Sequence, residues 1–268
     1  MAFAAREGAR IWWNAIGKGQ PLVLIMGLGC SSALWFRLAP LLARRYRVIF
    51  LDNRGVGQTE VQHFVVHRVS TMASDVAAVL DAAGERRAHI FGLSMGGMIA
   101  QEFALAYPQR VRTLTLAATN CGGARAILPQ RHVWRLLFSK GDRAAEEALR
   151  QMQPYTYARH TPQPLIEEDH LLRLANQPSL RGYRAQLYGL MGWTSYHRLP
   201  LLRCPTLVLH GREDQLIPPA NGELLAQRIA GAQLVELADA SHWIHTDQPD
   251  RTVAALQAFT DLRARSAP

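Results

Sequence analysis

Short apolar runs alternate with stretches of helical period along most of this chain, and few folds accommodate that rhythm. Leu22-Val23-Leu24-Ile25-Met26, Arg47-Val48-Ile49-Phe50-Leu51, Ala88-His89-Ile90-Phe91, Val111–Ala118, Thr206-Leu207-Val208-Leu209-His210 and Gln233–Leu237 read as strands. Leu34, Leu38, Leu41 and Leu42 recur at helical spacing between the first two, with Pro40 expected to delay or kink that helix. Thr71–Ala83, Met95–Tyr107, Pro219–Ile229 and Asp250–Ala264 read as further helices, with Gly84 and Pro108 as stops after the first two of these. The expected fold is α/β: a mostly parallel, eight-stranded twisted sheet with helices on both faces. The stretch up to Ile16 is expected to supply an antiparallel edge hairpin.

The rhythm breaks at Cys121 and resumes near Cys204. Helical patches there alternate with Pro129, Pro154, Pro162, Pro164 and Pro178, among many aromatics: Trp134, Phe138, Tyr155, Tyr157, Tyr183, Tyr188, Trp193 and Tyr196. The expected organisation is a core of residues 1–120 and 204–268 interrupted by a helical lid over 121–203.

Composition removes other classes. The chain has 268 residues, 49% hydrophobic and 19% charged, which excludes a disordered or fibrous chain and allows a large core. No apolar run reaches the ~18 residues of a membrane span. Met1–Glu7 lacks a basic segment followed by an apolar one, so no signal peptide is read and the expected compartment is the cytoplasm. The net charge of +9 comes mostly from arginines spread along the chain. Arg44-Arg45-Tyr46-Arg47 and Arg86-Arg87 fall where helices should end, where cations suit the helix dipole. With no zinc-finger or helix-turn-helix pattern, the charge reads as a solvated surface and not as a nucleic-acid interface. Cys30, Cys121 and Cys204 are too few and too scattered for a disulfide framework or a zinc site.

Gly92-Leu93-Ser94-Met95-Gly96 fits G-x-S-x-G with a strand before it and a helix after it. A strand-to-helix turn this sharp forces Ser94 into strained dihedrals and lets the chains pass only where the neighbours are small. It lifts the hydroxyl clear of the sheet at the positive end of a helix. A serine needs a base. His242 stands just after the last strand, in Asp239-Ala240-Ser241-His242-Trp243, and Asp214 just after the preceding one, in Gly211-Arg212-Glu213-Asp214-Gln215. Both positions are carboxyl ends of parallel strands, where ligand crevices form.

These pieces, with Gly27-Leu28-Gly29, Asp52-Asn53-Arg54-Gly55-Val56-Gly57, Pro205–Gly211 and Pro249, resemble the α/β-hydrolase fold superfamily over nearly the whole chain. The chain is most similar to the branch holding 3-oxoadipate enol-lactonases, cofactor-free haloperoxidases and polyketide-tailoring esterases. The resemblance implies that Ser94 attacks an acyl carbon, that His242 takes and returns the proton, and that Asp214 orients the imidazole. It implies an oxyanion hole of the Leu28 and Met95 amides. Met26-Gly27 stands where many relatives carry His-Gly. The implied activity is hydrolysis, through an acyl-enzyme, of a carboxylic ester, lactone or thioester of a moderately sized, apolar small-molecule substrate, of the kind met in secondary metabolism, with no cofactor and no metal. Acyl transfer, elimination, perhydrolysis and carbon–carbon bond cleavage reuse the same residues, and a small-molecule receptor can retain them. Dehalogenases and epoxide hydrolases of this fold resemble it less, with Asp at the position of Ser94.

Other assignments weigh less. Asp239 is an alternative acid. Asn120 and Cys121 occupy another position used for the acid in some relatives, but neither is a carboxylate. His242 and His245 lack a third metal ligand in a motif, so His245 reads as a helix-start or surface histidine. His89 and His210 read as structural, Asp52 and Arg54 as holding a turn, and Cys30 and Cys121 as neutral thiols near the pocket wall. Trp35, Trp193 and Trp243 are the candidate pocket aromatics. Arg131, Arg135 and Arg184 could pair with a substrate carboxylate, though solvent-facing positions suit them better.

Overall fold

The structure is a computed structural model that describes residues 2–62, 66–138 and 145–265; the side chains of Phe138, Ala264 and Arg265 lie outside what it describes. Nine strands form one sheet: β1 (Ala2–Arg6), β2 (Ala9–Ile16), β3 (Gln20–Ile25), β4 (Tyr46–Leu51), β5 (Glu60–Val61), β6 (Ala88–Leu93), β7 (Val111–Ala117), β8 (Thr206–Gly211) and β9 (Gln233–Leu237). Eight lie on the path β1-β2-β4-β3-β6-β7-β8-β9, and the two-residue β5 pairs with β2 beside it. Pairing is parallel from β4 to β9, while β2 runs antiparallel to β1, β4 and β5. The N-terminal hairpin is therefore present as expected, with β1 at its outer edge.

The period of two along β3 sorts its side chains between two cores. Val23 and Ile25 pack with Val76 and Leu80 of α2 (Val69–Ala82), Ile99 and Phe103 of α3 (Met95–Ala106) and Leu225 of α8 (Ala220–Arg228). Leu22 and Leu24 pack on the other face with Leu38 and Leu42 of α1 (Leu38–Leu42) and Leu256 and Phe259 of α10 (Pro249–Arg265). The first helical pattern is delayed as expected: a 3-10 turn over Ser32–Phe36 precedes the short α1, and Pro40 sits in the first turn of α1, where its missing N–H costs no intrahelical bond. Burial of this kind contributes roughly 25 cal/mol per Å² of apolar surface removed from water.

Among the described residues, four α-helices lie between β7 and β8: α4 (Arg131–Phe138), α5 (Ala145–Thr156), α6 (Gln163–Ala175) and α7 (Leu180–Leu190). The short α9 (Ile244–Asp247) precedes α10. The chain leaves β3 toward β4 on one side, and β6 pairs on the other side of β3. At this switch point the loops after β3 and β6 part and leave a crevice at the carboxyl ends of the strands.

Candidate active site

Ser94 follows β6 immediately and adopts φ 57°, ψ −122°. Such a backbone conformation costs an L-residue of order 1–3 kcal/mol and persists only where its surroundings enforce it. They do so here. The Ser94 amide donates to the Ala117 carbonyl at 2.9 Å, and its carbonyl accepts from Gly97 N at 2.9 Å and Thr119 Oγ1 at 2.6 Å. The flanking glycines are required by space: a Cβ on Gly92 would lie 2.2 Å from the Gly96 carbonyl oxygen, and one on Gly96 would lie 2.0 Å from that of Ile25. The motif, its strand and its helix stand as the sequence predicts.

Asp214 and His242 come from the loops after β8 and β9. His242 Nδ1 lies 2.9 Å from Asp214 Oδ2, and both residues are buried. The other carboxylate oxygen, Oδ1, accepts from the Leu216 and Ile217 amides at 2.9 and 2.8 Å. Burial alone would raise the Asp214 pKa, but the His242 charge and hydrogen bonds from His210 and His242 outweigh it and hold the carboxyl below its usual value. Asp214 therefore stays ionised beside the imidazole. His210, expected to be structural, bonds within the core beside this pair. Its Nε2 donates to the Ile217 carbonyl at 2.8 Å and lies 3.5 Å from Asp214 Oδ2, so it belongs to the surroundings of that carboxylate. Asp239 does not bond His242; it takes φ 55° in the turn before it.

Ser94 and His242 line one cavity of ≈ 400 Å³. Leu28 and Met95 line it too, and among the described residues neither of their amides donates a hydrogen bond. Met95 opens α3, where the first N–H groups of a helix have no partner within it. The loop carrying Leu28 abuts the serine: a Cβ on Gly27 would lie 3.1 Å from Ser94 Cβ and 3.6 Å from Oγ. Two free amides beside a half-buried serine hydroxyl can receive the negative oxygen of a tetrahedral adduct. A second depression, of ≈ 380 Å³ along Gly55, His67 and Ser179, holds neither Ser94 nor His242.

The family described as alpha/beta hydrolase fold matches residues 20–249. The chain belongs to that family. RutD of Azorhizobium caulinodans, a protein named for carbamate hydrolysis, is 31% identical over 93% of this chain and 94% of its own. The 2-hydroxy-6-oxo-6-phenylhexa-2,4-dienoate hydrolase of Comamonas testosteroni is 30% identical over 90% of this chain and 87% of its own. Among solved structures, a thermophilic esterase from Thermogutta terrifontis superimposes with a TM-score of 0.84 at 29% identity, covering 98% of this chain and 97% of that one. These relatives are named as hydrolases and esterases, and this α/β-hydrolase is a hydrolase.

The rest of the cavity in this α/β-hydrolase is mostly apolar. Leu149 and Met152 of α5, Leu187 and Leu190 of α7, and Leu216 and Ile217 after β8 contribute much of its wall. Trp243 lines it as expected. Trp35 and Trp193 do not. Trp35 is buried in the core under α1, edge-on to Phe91 at 5.7 Å and to His245 at 5.3 Å. Trp193 packs over Gly122 and donates from Nε1 to Glu102 Oε2 at 2.8 Å. Both follow loops near the crevice, but neighbouring in sequence does not set the side-chain direction. Cys30 and Cys121 are buried outside the cavity wall, and burial pushes the Cys121 thiol up. His245 does start a short helix, but it is not at the surface. It is buried between Trp35 and Trp243, and burial lowers its pKa to about 3. Asp52 and Arg54 hold the turn after β4, as expected: Asp52 accepts from the amide and hydroxyl of Ser32, and Arg54 forks onto Asp75.

Arg131, Arg135 and Arg184 are exposed. The arginine at the cavity is Arg173 of α6, whose guanidinium carbon lies 5.0 Å from the centre of the Trp243 ring. Among the described residues no carboxylate pairs with it. Its position on α6 gave no signal in sequence, because helical spacing alone does not tell which face of a helix looks down on the crevice.

Proposed function

We propose that this hydrolase is a serine enzyme that cleaves a carboxylic ester, lactone or thioester of a moderately sized, mainly apolar substrate. One observation carries the reading: Ser94, in its strained turn, and His242, braced by Asp214, open onto the same apolar cavity. The Ser94 hydroxyl passes its proton to His242 Nε2 as Oγ bonds to the acyl carbon. The resulting oxyanion is held by the Leu28 and Met95 amides, and one such donor is worth ~3 kcal/mol. When the bond to the leaving group breaks, His242 returns the proton to that group. Water then attacks the acyl-enzyme by the same steps in reverse order and releases the acid and the free serine. In this reading residues 121–203 act as a lid on the core of 1–120 and 204–268. The lid excludes water and supplies the apolar wall, where each buried methylene contributes about 0.8 kcal/mol. The test is a series of nitrophenyl esters from acetyl to octanoyl with the native chain and Ser94→Ala. Turnover that rises with chain length and disappears in the variant is expected; turnover retained by Ser94→Ala would remove the serine from the mechanism.

A second reading of the substrate rests on Arg173. An unpaired guanidinium in an apolar wall suits an anionic group on the substrate, with Trp243 as its floor. In that case the substrate is an ester whose other end carries a carboxylate.

A further inference from the structure

The loop that carries the Leu28 amide is gripped from two directions. On the core side, Asn53 Nδ2 donates to the Met26 carbonyl at 2.9 Å. On the other side, Gln186 reaches in from α7, and its Oε1 accepts from the Gly29 amide at 2.8 Å. Its Nε2 donates to the Arg54 carbonyl at 2.7 Å. The side chain is fully buried, and its two partners settle which end is oxygen: an amide N–H needs an acceptor and a carbonyl needs a donor. Arg54 is itself buried, forked onto Asp75 and donating to the Arg6 and Glu7 carbonyls at 2.9 and 3.1 Å.

Helix α7 is fastened to the core along this line. The His67 amide donates to the Ala185 carbonyl at 3.0 Å. Cβ atoms on Gly182 and Gly189 would lie 2.2 Å and 1.8 Å from the carbonyl oxygens of Gly55 and His67, so the backbones touch. The same helix presents Tyr183, Leu187 and Leu190 to the cavity. One turn of α7 therefore meets the substrate space on one face and holds the Gly29 amide on another.

We propose that Gln186 is a positioning residue for the oxyanion hole. By holding the Gly29 N–H it fixes the peptide that follows Leu28, and so aims the Leu28 N–H at the oxygen of the tetrahedral adduct. This inference rests on the serine-hydrolase reading above. Gln186 lies outside the cavity wall, so its contribution belongs to the transition state and not to substrate binding.

Two variants test it, both in the full chain. Gln186→Met keeps the length and removes both hydrogen bonds. Gln186→Glu keeps the acceptor for Gly29 but, when ionised, turns an acceptor toward the Arg54 carbonyl; protonation restores a donor. With nitrophenyl butyrate, Gln186→Met should lower kcat about 10- to 100-fold with KM within about twofold, as expected for a donor misaimed but not removed. Affinity for a trifluoromethyl ketone, whose adduct with Ser94 places an oxyanion in the hole, should fall by the same factor. Affinity for the unreactive methyl ketone of equal length should stay. The rate of Gln186→Glu relative to native should climb as pH falls, which a purely structural residue would not produce. Unchanged kcat and ketone affinity in folded variants overturns the proposal. So does an equal loss for both ketones, which would make Gln186 a pocket-shaping residue, or failure of both variants to fold. Native activity that survives Ser94→Ala, or no esterase activity at all, sinks the serine reading and this one with it. Flat Gln186 variants in a Ser94-dependent enzyme sink this one alone.

Discussion

Asp214 meets His242 with one carboxylate oxygen only, Oδ2 at 2.9 Å from Nδ1, because Oδ1 is already claimed by the Leu216 and Ile217 amides. The carboxylate therefore cannot rotate, and its grip on the imidazole has a direction. In Asp214→Asn the two backbone N–H groups would hold the amide oxygen, leaving the NH2 to face Nδ1. That forces the proton onto Nε2, the atom that must accept from Ser94. Asp214→Asn should lose at least ~10³-fold in kcat, since the wrong tautomer disables the base. His242→Ala should lose as much, because the members act as a unit. Steady-state rates of the variants decide this; a mild Asp214→Asn beside a crippled Asp239→Asn would move the acid to Asp239.

The apolar wall predicts a chain-length dependence that can be localised. Leu149 and Leu187 line the cavity at some distance in sequence from Ser94. Leu187→Ala should raise KM for an octanoyl ester by roughly 10-fold, from the loss of buried methylenes at about 0.8 kcal/mol each, and leave the acetyl ester nearly unchanged. Equal effects on both esters would show that the long chain binds elsewhere. Trp193→Ala, outside the cavity and bonded to Glu102, should lower stability without changing the ratio between the two esters.

Arg173 separates the two substrate readings. With a half-ester that keeps a free carboxylate, Arg173→Leu should reduce kcat/KM by about 10- to 100-fold, the worth of a hydrogen bond to a charged group at ~1.5–3 kcal/mol. A neutral ester of the same length should change little. A parallel loss for both substrates would assign Arg173 to packing on Trp243.

Stability should depend on pH through His245. Burial, and then the nearby His242 and arginine charges, lower its pKa to about 3 in the folded protein. An unfolded imidazole takes its proton near ~6.5, so below that pH the unfolded chain binds the extra proton. This contribution is fully present above the unfolded value and is lost as pH falls toward the folded one, at about 1.4 kcal/mol per unit. Asp247 acts in the opposite sense, because burial raises its pKa to about 6. The comparison is therefore between native protein and His245→Phe in urea titrations from pH 4 to 6. The variant should show a shallower fall of stability with acid; identical slopes would mean that His245 is protonated in the folded state.

The alternation of strands and helices, the G-x-S-x-G turn and the Ser, Asp, His order are local or periodic signals. For that reason the sheet, Ser94, Asp214 and His242 were legible from residue types and spacing alone. Gly92 and Gly96 were legible too, since a sharp turn excludes Cβ atoms wherever it occurs. Side-chain direction at long range was not. Trp35 and Trp193 follow loops that converge on the crevice, yet the packing of Phe91 and His245 draws one inward and Glu102 draws the other aside. Arg173 and Gln186 belong to α6 and α7, whose periodicity marks an apolar face without naming what that face will meet. Their roles depend on contacts across 70 or more residues (~230 Å of fully extended chain) that only the packing of α6 and α7 against the core creates. Close packing of backbone on backbone at Gly182 and Gly189 settled that arrangement, and with it which buried polar groups reach the oxyanion loop.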